Sequence, residues 1–193
     1  MTATTRCTLL ARIKDPKDSD AWRQFERLYS PLLYRYARGR GLARHDAEEV
    51  RDQCLEVIVR KIGEFEYDRH KGGFKNWLFR MVSHKVTDLH RKRREVHADS
   101  KDLRALVDPE PTPDELWEQT WQYEHLKFGV EQVRNEVAER DFQAFRMLVT
   151  DECSVAEVCR RLDLNPNQVY KAKARVLRRV REQLIAMDPE LAP

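Results

Sequence analysis

Ser154-Val155-Ala156-Glu157-Val158-Cys159-Arg160-Arg161-Leu162-Asp163-Leu164-Asn165-Pro166-Asn167-Gln168-Val169-Tyr170-Lys171 carries two helix starts and the stop between them. Ser154 suits an N-cap, and Glu157, three positions on, completes a capping box. Val155, Val158, Cys159 and Leu162 give the short helix one apolar face. The turn Leu162-Asp163-Leu164 follows at once and has no glycine. Asn165 then caps a second helix whose first position, Pro166, suits a residue without an N–H. That helix runs to about Met187, with Val169, Ala172, Val176, Val180 and Leu184 on one side and Gln168, Lys171, Arg175 and Arg178 on another. A short helix, a tight turn and a longer basic helix make a helix-turn-helix, which lays its second helix in the major groove. Asn167, Gln168, Tyr170 and Lys171 lie near its start, within reach of base edges, and Lys173, Arg175, Arg178, Arg179 and Arg181 suit phosphates. On this segment alone, an amphipathic hairpin with a solvated basic face stays open as the plainer reading.

Upstream, the helical period continues. A helix beginning near Thr112 or Asp114 carries Leu116, Tyr123, Leu126, Val130, Val133 and Val137, and a shorter one bears Phe142, Phe145, Leu148 and Val149. Between Val96 and Asp114 the period is lost. Asp99, Asp102, Asp108 and Glu110 accompany Pro109, Pro111 and Pro113, the composition of an acidic, stiffened tether.

Before the tether lie three more helical stretches. Trp22, Phe25, Leu28, Leu32, Leu33 and Tyr36 recur at helical spacing, with Pro31 expected to kink or split the segment. After Gly39-Arg40-Gly41, Asp46 is expected to cap a helix with Ala47, Val50, Cys54, Val57, Ile58 and Ile62 on one side and Glu48, Glu49 and Asp52 opposite. A charged loop ending in Gly72-Gly73 leads to Phe74, Trp77, Leu78, Met81, Val82, Val86 and Leu89, and that helix runs out into Arg91-Lys92-Arg93-Arg94. No stretch shows the alternation of a half-buried strand. The expected fold is all-α: two small helical bundles, 1–95 and 114–193, joined by the linker 96–113.

The chain has 193 residues, 41% hydrophobic and 36% charged, with a formal net charge of +3. Surface is abundant relative to core, as in small helical domains, and the net charge alone does not identify a nucleic-acid binder. Cys7, Cys54, Cys153 and Cys159 form neither a CxxC pair nor a disulfide framework, and they fit a reducing cytoplasm. No run approaches the ~18 apolar residues of a membrane span. His45, His70, His84, His90, His97 and His125 show no metal-ligand spacing, and no phosphate-binding glycine loop or nucleophile elbow occurs. Neither catalysis, a cofactor nor a metal is expected. Chemistry of another kind gathers in the loop, where Tyr67, Arg69, His70 and Lys71 precede Phe74 and Trp77. Aromatic faces stack on unpaired bases and cations hold the strand's backbone. The competing reading makes Phe74 and Trp77, both in phase with the helix core, simple packing residues.

The run Asp46-Ala47-Glu48-Glu49-Val50 to Phe65, the loop to Gly73-Phe74-Lys75-Asn76-Trp77-Leu78, and Asp88-Leu89-His90-Arg91-Lys92-Arg93-Arg94 resemble region 2 of bacterial RNA polymerase sigma factors. The terminal hairpin, with Val169-Tyr170-Lys171-Ala172-Lys173-Ala174-Arg175-Val176-Leu177, resembles region 4. The likeness covers roughly residues 20 to 187, and the two-domain layout is similar to the extracytoplasmic-function group of the sigma-70 family. The resemblance implies that Asp46, Glu48, Glu49, Asp52 and Gln53 meet the clamp helices of the largest polymerase subunit. It also implies that Tyr67, Arg69, His70, Lys71, Phe74, Asn76, Trp77, Arg80, Lys85 and Arg91 meet the minus-ten element, where a base is flipped and the duplex opened. Asn167, Gln168, Tyr170, Lys171, Lys173, Arg175, Arg178 and Arg179 would read the minus-thirty-five element. The implied partners are core RNA polymerase, through clamp helices and flap, and promoter DNA, with an anti-sigma factor left open and no membrane. A chain relying on polymerase can keep two basic zones weak separately and strong when held together, consistent with the small net charge.

Two other classes compete. A free-standing helix-turn-helix repressor or activator would bind intact duplex unaided, usually as a dimer on a palindrome. A protein-binding adaptor would use the acidic helix but not the loop aromatics.

Overall fold

Side-chain caps set the starts of four of the helices described below. The computed structural model describes residues 9–66, 73–96 and 111–187, and in them eight α-helices and one short 3₁₀ turn account for the regular structure, with no strand among the described residues. Helix α1 is Leu9–Arg12 and α2 is Ser19–Gly39, the latter capped by Asp18, whose carboxylate accepts from the Ala21 N–H at 3.0 Å. Pro31 lies inside α2 without splitting it. A proline inside a helix costs ~3 kcal/mol, and here Leu28, Leu32, Leu33 and Tyr36, all essentially fully buried, outweigh it. The helix stops at Gly41, whose φ of 82° is reached readily by glycine; the Leu42 N–H then bonds back to Ala37 O at 3.3 Å, and Leu42 is buried.

Helix α3, Arg44–Lys61, is followed by the 3₁₀ turn Ile62–Glu64, and α4 is Gly73–Val96. Asp46 does not cap α3. The N-cap is Ala43, with no side-chain bond, and Asp46 sits in the first turn, 9% exposed, in an ion pair with Arg93 near the end of α4. Around Phe25, Leu32, Tyr36, Val50, Cys54, Ile58, Leu78, Val82 and Val86 these helices close one core.

Helix α5, Pro113–Arg134, opens on a reciprocal capping box: Thr112 N–H donates to Glu115 Oε2 at 2.8 Å, and Glu115 N–H donates to Thr112 Oγ1 at 3.3 Å. Its buried face differs from the expected one. Trp117, Thr120, Trp121 and Glu124 are buried, whereas Tyr123 and Leu126 are each 50% exposed. The Trp117 ring stacks on Phe79 at 5.5 Å and meets Tyr36 edge-on at 5.4 Å, and Trp121 lies 5.8 Å from Tyr29. Glu124, 3% exposed, takes an ion pair from Arg35 at 2.5 Å, and Arg35 also lies over the Tyr123 ring at 4.2 Å. The described chain divides into compact units at Glu124/His125, inside α5. Residues 97–110, most of the expected linker, lie outside the described residues.

The second unit has its own core. Helices α6 (Glu139–Val149), α7 (Val155–Leu162) and α8 (Pro166–Met187) bury Val133, Phe145, Val176 and Val180 in one cluster and Ala144, Met147, Val158, Val169 and Ala172 in another. Cys153 and Cys159 pack half-buried against the latter cluster.

Candidate nucleic-acid interface

The hairpin α7–α8 follows its capping residues closely. Ser154 Oγ accepts from the Glu157 N–H at 3.2 Å, and Asn165 Oδ1 accepts from the Gln168 N–H at 2.9 Å while Gln168 Oε1 accepts from the Asn165 N–H at 2.8 Å. This second capping box ties down the carbonyl end of Gln168, a residue expected at base edges. In the turn, Asp163 takes the left-handed place usually given to glycine, at φ 51°, and the Leu164 N–H reaches Cys159 O at 3.1 Å. Arg140, from α6, donates to the carbonyls of both Leu162 and Asp163.

Along α8, Asn167, Gln168, Tyr170, Lys171 and Arg178 are exposed and Lys173 is half-buried. Tyr170 is 58% exposed, a large aromatic surface at the start of the helix. Three of the expected phosphate or base contacts already hold intramolecular ionic partners, Arg178 reaching Glu182 at 3.9 Å. Arg175 is ion-paired with Asp141, and Arg179 donates to Glu182 at 2.9 Å.

In the first unit, Tyr67, Arg69, His70 and Lys71 lie outside the described residues. Phe74 is not available for stacking on a base: it is 4% exposed and is ringed by Phe25, Tyr29, Phe65 and Trp77 at centroid distances of 6.0, 5.3, 5.7 and 5.5 Å. Trp77 is half-buried, tilted over Phe65 at 5.1 Å. Next to it, Asn76, Arg80, His84, Thr87 and Arg91 are all exposed, and their spacing places them on one stripe of α4. His84 joins the stripe although the resemblance assigns it no role, its helical spacing from Arg80 and Arg91 being the signal that places it there. Lys85 is half-buried to the side, and Arg91 pairs with Asp88 at 3.1 Å.

The acidic face of α3 is present but partly neutralised. Glu49 and Asp52 are exposed and Glu48 and Gln53 half-buried; Arg44 binds Glu48 at 3.0 Å, Arg51 binds Asp52 at 2.7 Å, and Gln53 donates to Glu49 at 2.8 Å. Hydrogen bonds to these carboxylates raise both arginines above their ordinary range. Asp46, buried against Arg93, is not part of that outward face. His45, Asp46 and Glu49 bring ligand atoms within 4.8 Å of one another, but Arg93 already balances Asp46 and the other two are exposed, so the grouping offers no built metal cage.

Residues 26–96 match the family model for Sigma-70 region 2. The region 2 match takes in most of α2, all of α3 and α4, and with them both the acidic face and the cationic stripe. The match shows that this part of the chain is similar to Sigma-70 region 2. No curated protein matches the chain at a significant level. No helix among the described residues is long and apolar enough to cross a membrane.

Proposed function

We propose that the protein is a sigma-type initiation factor of the extracytoplasmic-function group, acting in the cytoplasm with core RNA polymerase. The observation that carries this reading is the coincidence of the region 2 match with an exposed stripe of Asn76, Arg80, His84 and Arg91 beside a partly open Trp77, followed along the chain by a helix-turn-helix. In this reading Glu48, Glu49, Asp52 and Gln53 face the clamp helices of the polymerase. Trp77 and the α4 stripe, with Tyr67, Arg69, His70 and Lys71, take the minus-ten strand, and α8 reads the minus-thirty-five duplex. No bond is made or broken by the protein. Opening is driven by binding, each stacked base contributing about 1–3 kcal/mol.

Run-off transcription from a promoter library, with purified core polymerase and with or without the chain, tests the proposal. Start-site-specific transcripts dependent on the chain are expected. Tight binding to an intact palindromic duplex by the chain alone, with no effect on polymerase, would replace it with the free-standing repressor or activator.

A further inference from the structure

The α7–α8 hairpin is held from outside by two adjacent residues in the first turn of α6, Arg140 at the bend and Asp141 on α8. We propose that this turn is a positioning element for upstream-duplex recognition, in which Asp141 aims Arg175 and Arg140 fixes the bend between α7 and α8; the inference rests on the assignment of α8 as the duplex-reading helix.

Asp141 differs from an ordinary surface partner. Its side chain is only 18% exposed, whereas that of Arg175 is 52% exposed. The carboxylate is thus set into the scaffold beside the buried Ala144 and Phe145, and the guanidinium projects from it. A guanidinium has five N–H donors in a rigid fork, so engagement of one end leaves others for a guanine edge or a phosphate. A long side chain anchored before binding loses less rotamer freedom when the duplex arrives, which is the gain of preorganisation.

Arg140 acts on the other half of the hairpin. The bend has an aspartate, Asp163, at φ 51°, a conformation that L-residues other than Asn and Asp rarely accept. The carbonyls of Leu162 and Asp163, at the C-terminal end of α7, both receive hydrogen bonds from the Arg140 guanidinium. One turn of α6 therefore fixes the angle at which α8 leaves the bend and the direction of one side chain along it.

The experiment is run-off transcription by full-length chain and core polymerase on promoters varied singly through the minus-thirty-five element. Asp141→Asn is expected to reduce discrimination at one base pair about tenfold, Asp141→Glu to restore most of it, and Asp141→Asn to add nothing in an Arg175→Ala background. Unchanged discrimination in Asp141→Asn, or the same loss with Arg175 absent, would overturn the role assigned to Asp141. Arg140→Met, which has no donor, is expected to relax discrimination at several positions, with Arg140→Lys, which keeps a donor for the carbonyls, intermediate; wild-type selectivity in Arg140→Met would remove Arg140 from the proposal. If the wild-type chain supports no specific transcript, the initiation reading fails, and the same Asp141/Arg175 cycle, scored by duplex selection from a random pool, decides the positioning role separately.

Discussion

Trp117 shows how much one residue of a polar-looking segment contributes. It is 3% exposed between Tyr36 and Phe79, so Trp117→Ala should lower stability by about 3–5 kcal/mol, measured by chemical denaturation. Its Nε1–H is buried without a hydrogen-bond partner among the described residues. Trp117→Phe, which keeps a ring and removes that donor, should therefore lose well under half as much. Cys54 illustrates the same burial acting on a thiol. Desolvation pushes it up to about 12, so a maleimide at pH 8 should leave it unlabelled in the folded chain and label it on unfolding, as read by mass spectrometry. Asp46 marks where residue-level reading reaches its limit. An Asp before an apolar run is a sound cap signal, but its partner Arg93 arrives from another helix, and no local pattern announces that pairing.

Helices whose ends are written in side-chain chemistry were legible, and those decided by tertiary packing were not. α7 and α8 begin where Ser154 and Asn165 place them, because the bonds of each cap are made within four residues. Pro31 misled in α2, since the buried Leu28, Leu32 and Leu33 are neighbours only in the folded core. In α5 the apolar positions Leu116, Tyr123 and Leu126 suggested one face, while Trp117 and Trp121 define another against aromatic rings of α2 and α4. The α5 contacts also carry a pH dependence. Bonds from Thr112 hold the Glu115 carboxyl below its ordinary 4.5, and at Glu118 burial pushes upward but the ion pair with Lys75, at 2.7 Å, prevails and lowers it. Both contributions to stability are complete above the ordinary value and are lost as pH falls through the lowered one. Tryptophan fluorescence should accordingly report loosening of the start of α5 on acidification below about pH 4.5, and Lys75→Met should diminish that acid sensitivity.

At the scale of the molecule, the all-helical class followed from periodicity and from the scarcity of turn residues. The candidate site was only partly legible: the acidic face of α3 and the basic start of α8 follow from spacing, whereas withdrawal of Phe74 into an aromatic cluster depends on Phe25 and Tyr29 from a distant helix. The compact unit that starts at Leu9 runs on to Glu124, because the helix after the prolines and acids carries two buried tryptophans. A fragment ending at Glu124 should therefore unfold cooperatively with a midpoint clearly above that of one ending at Glu95, which bares the rings of Tyr36, Tyr29 and Phe79.

The bend at Asp163 makes the reading hairpin poorly transplantable. With its left-handed residue braced by a guanidinium from α6, the hairpin takes its helix starts from its own caps but part of the support of its bend from a neighbour. A chimera that grafts residues 154–187 onto a foreign helical scaffold should inherit the cations and the caps yet read DNA indifferently, and transferring α6 along with them, or installing glycine at the bend, should return part of the lost selectivity.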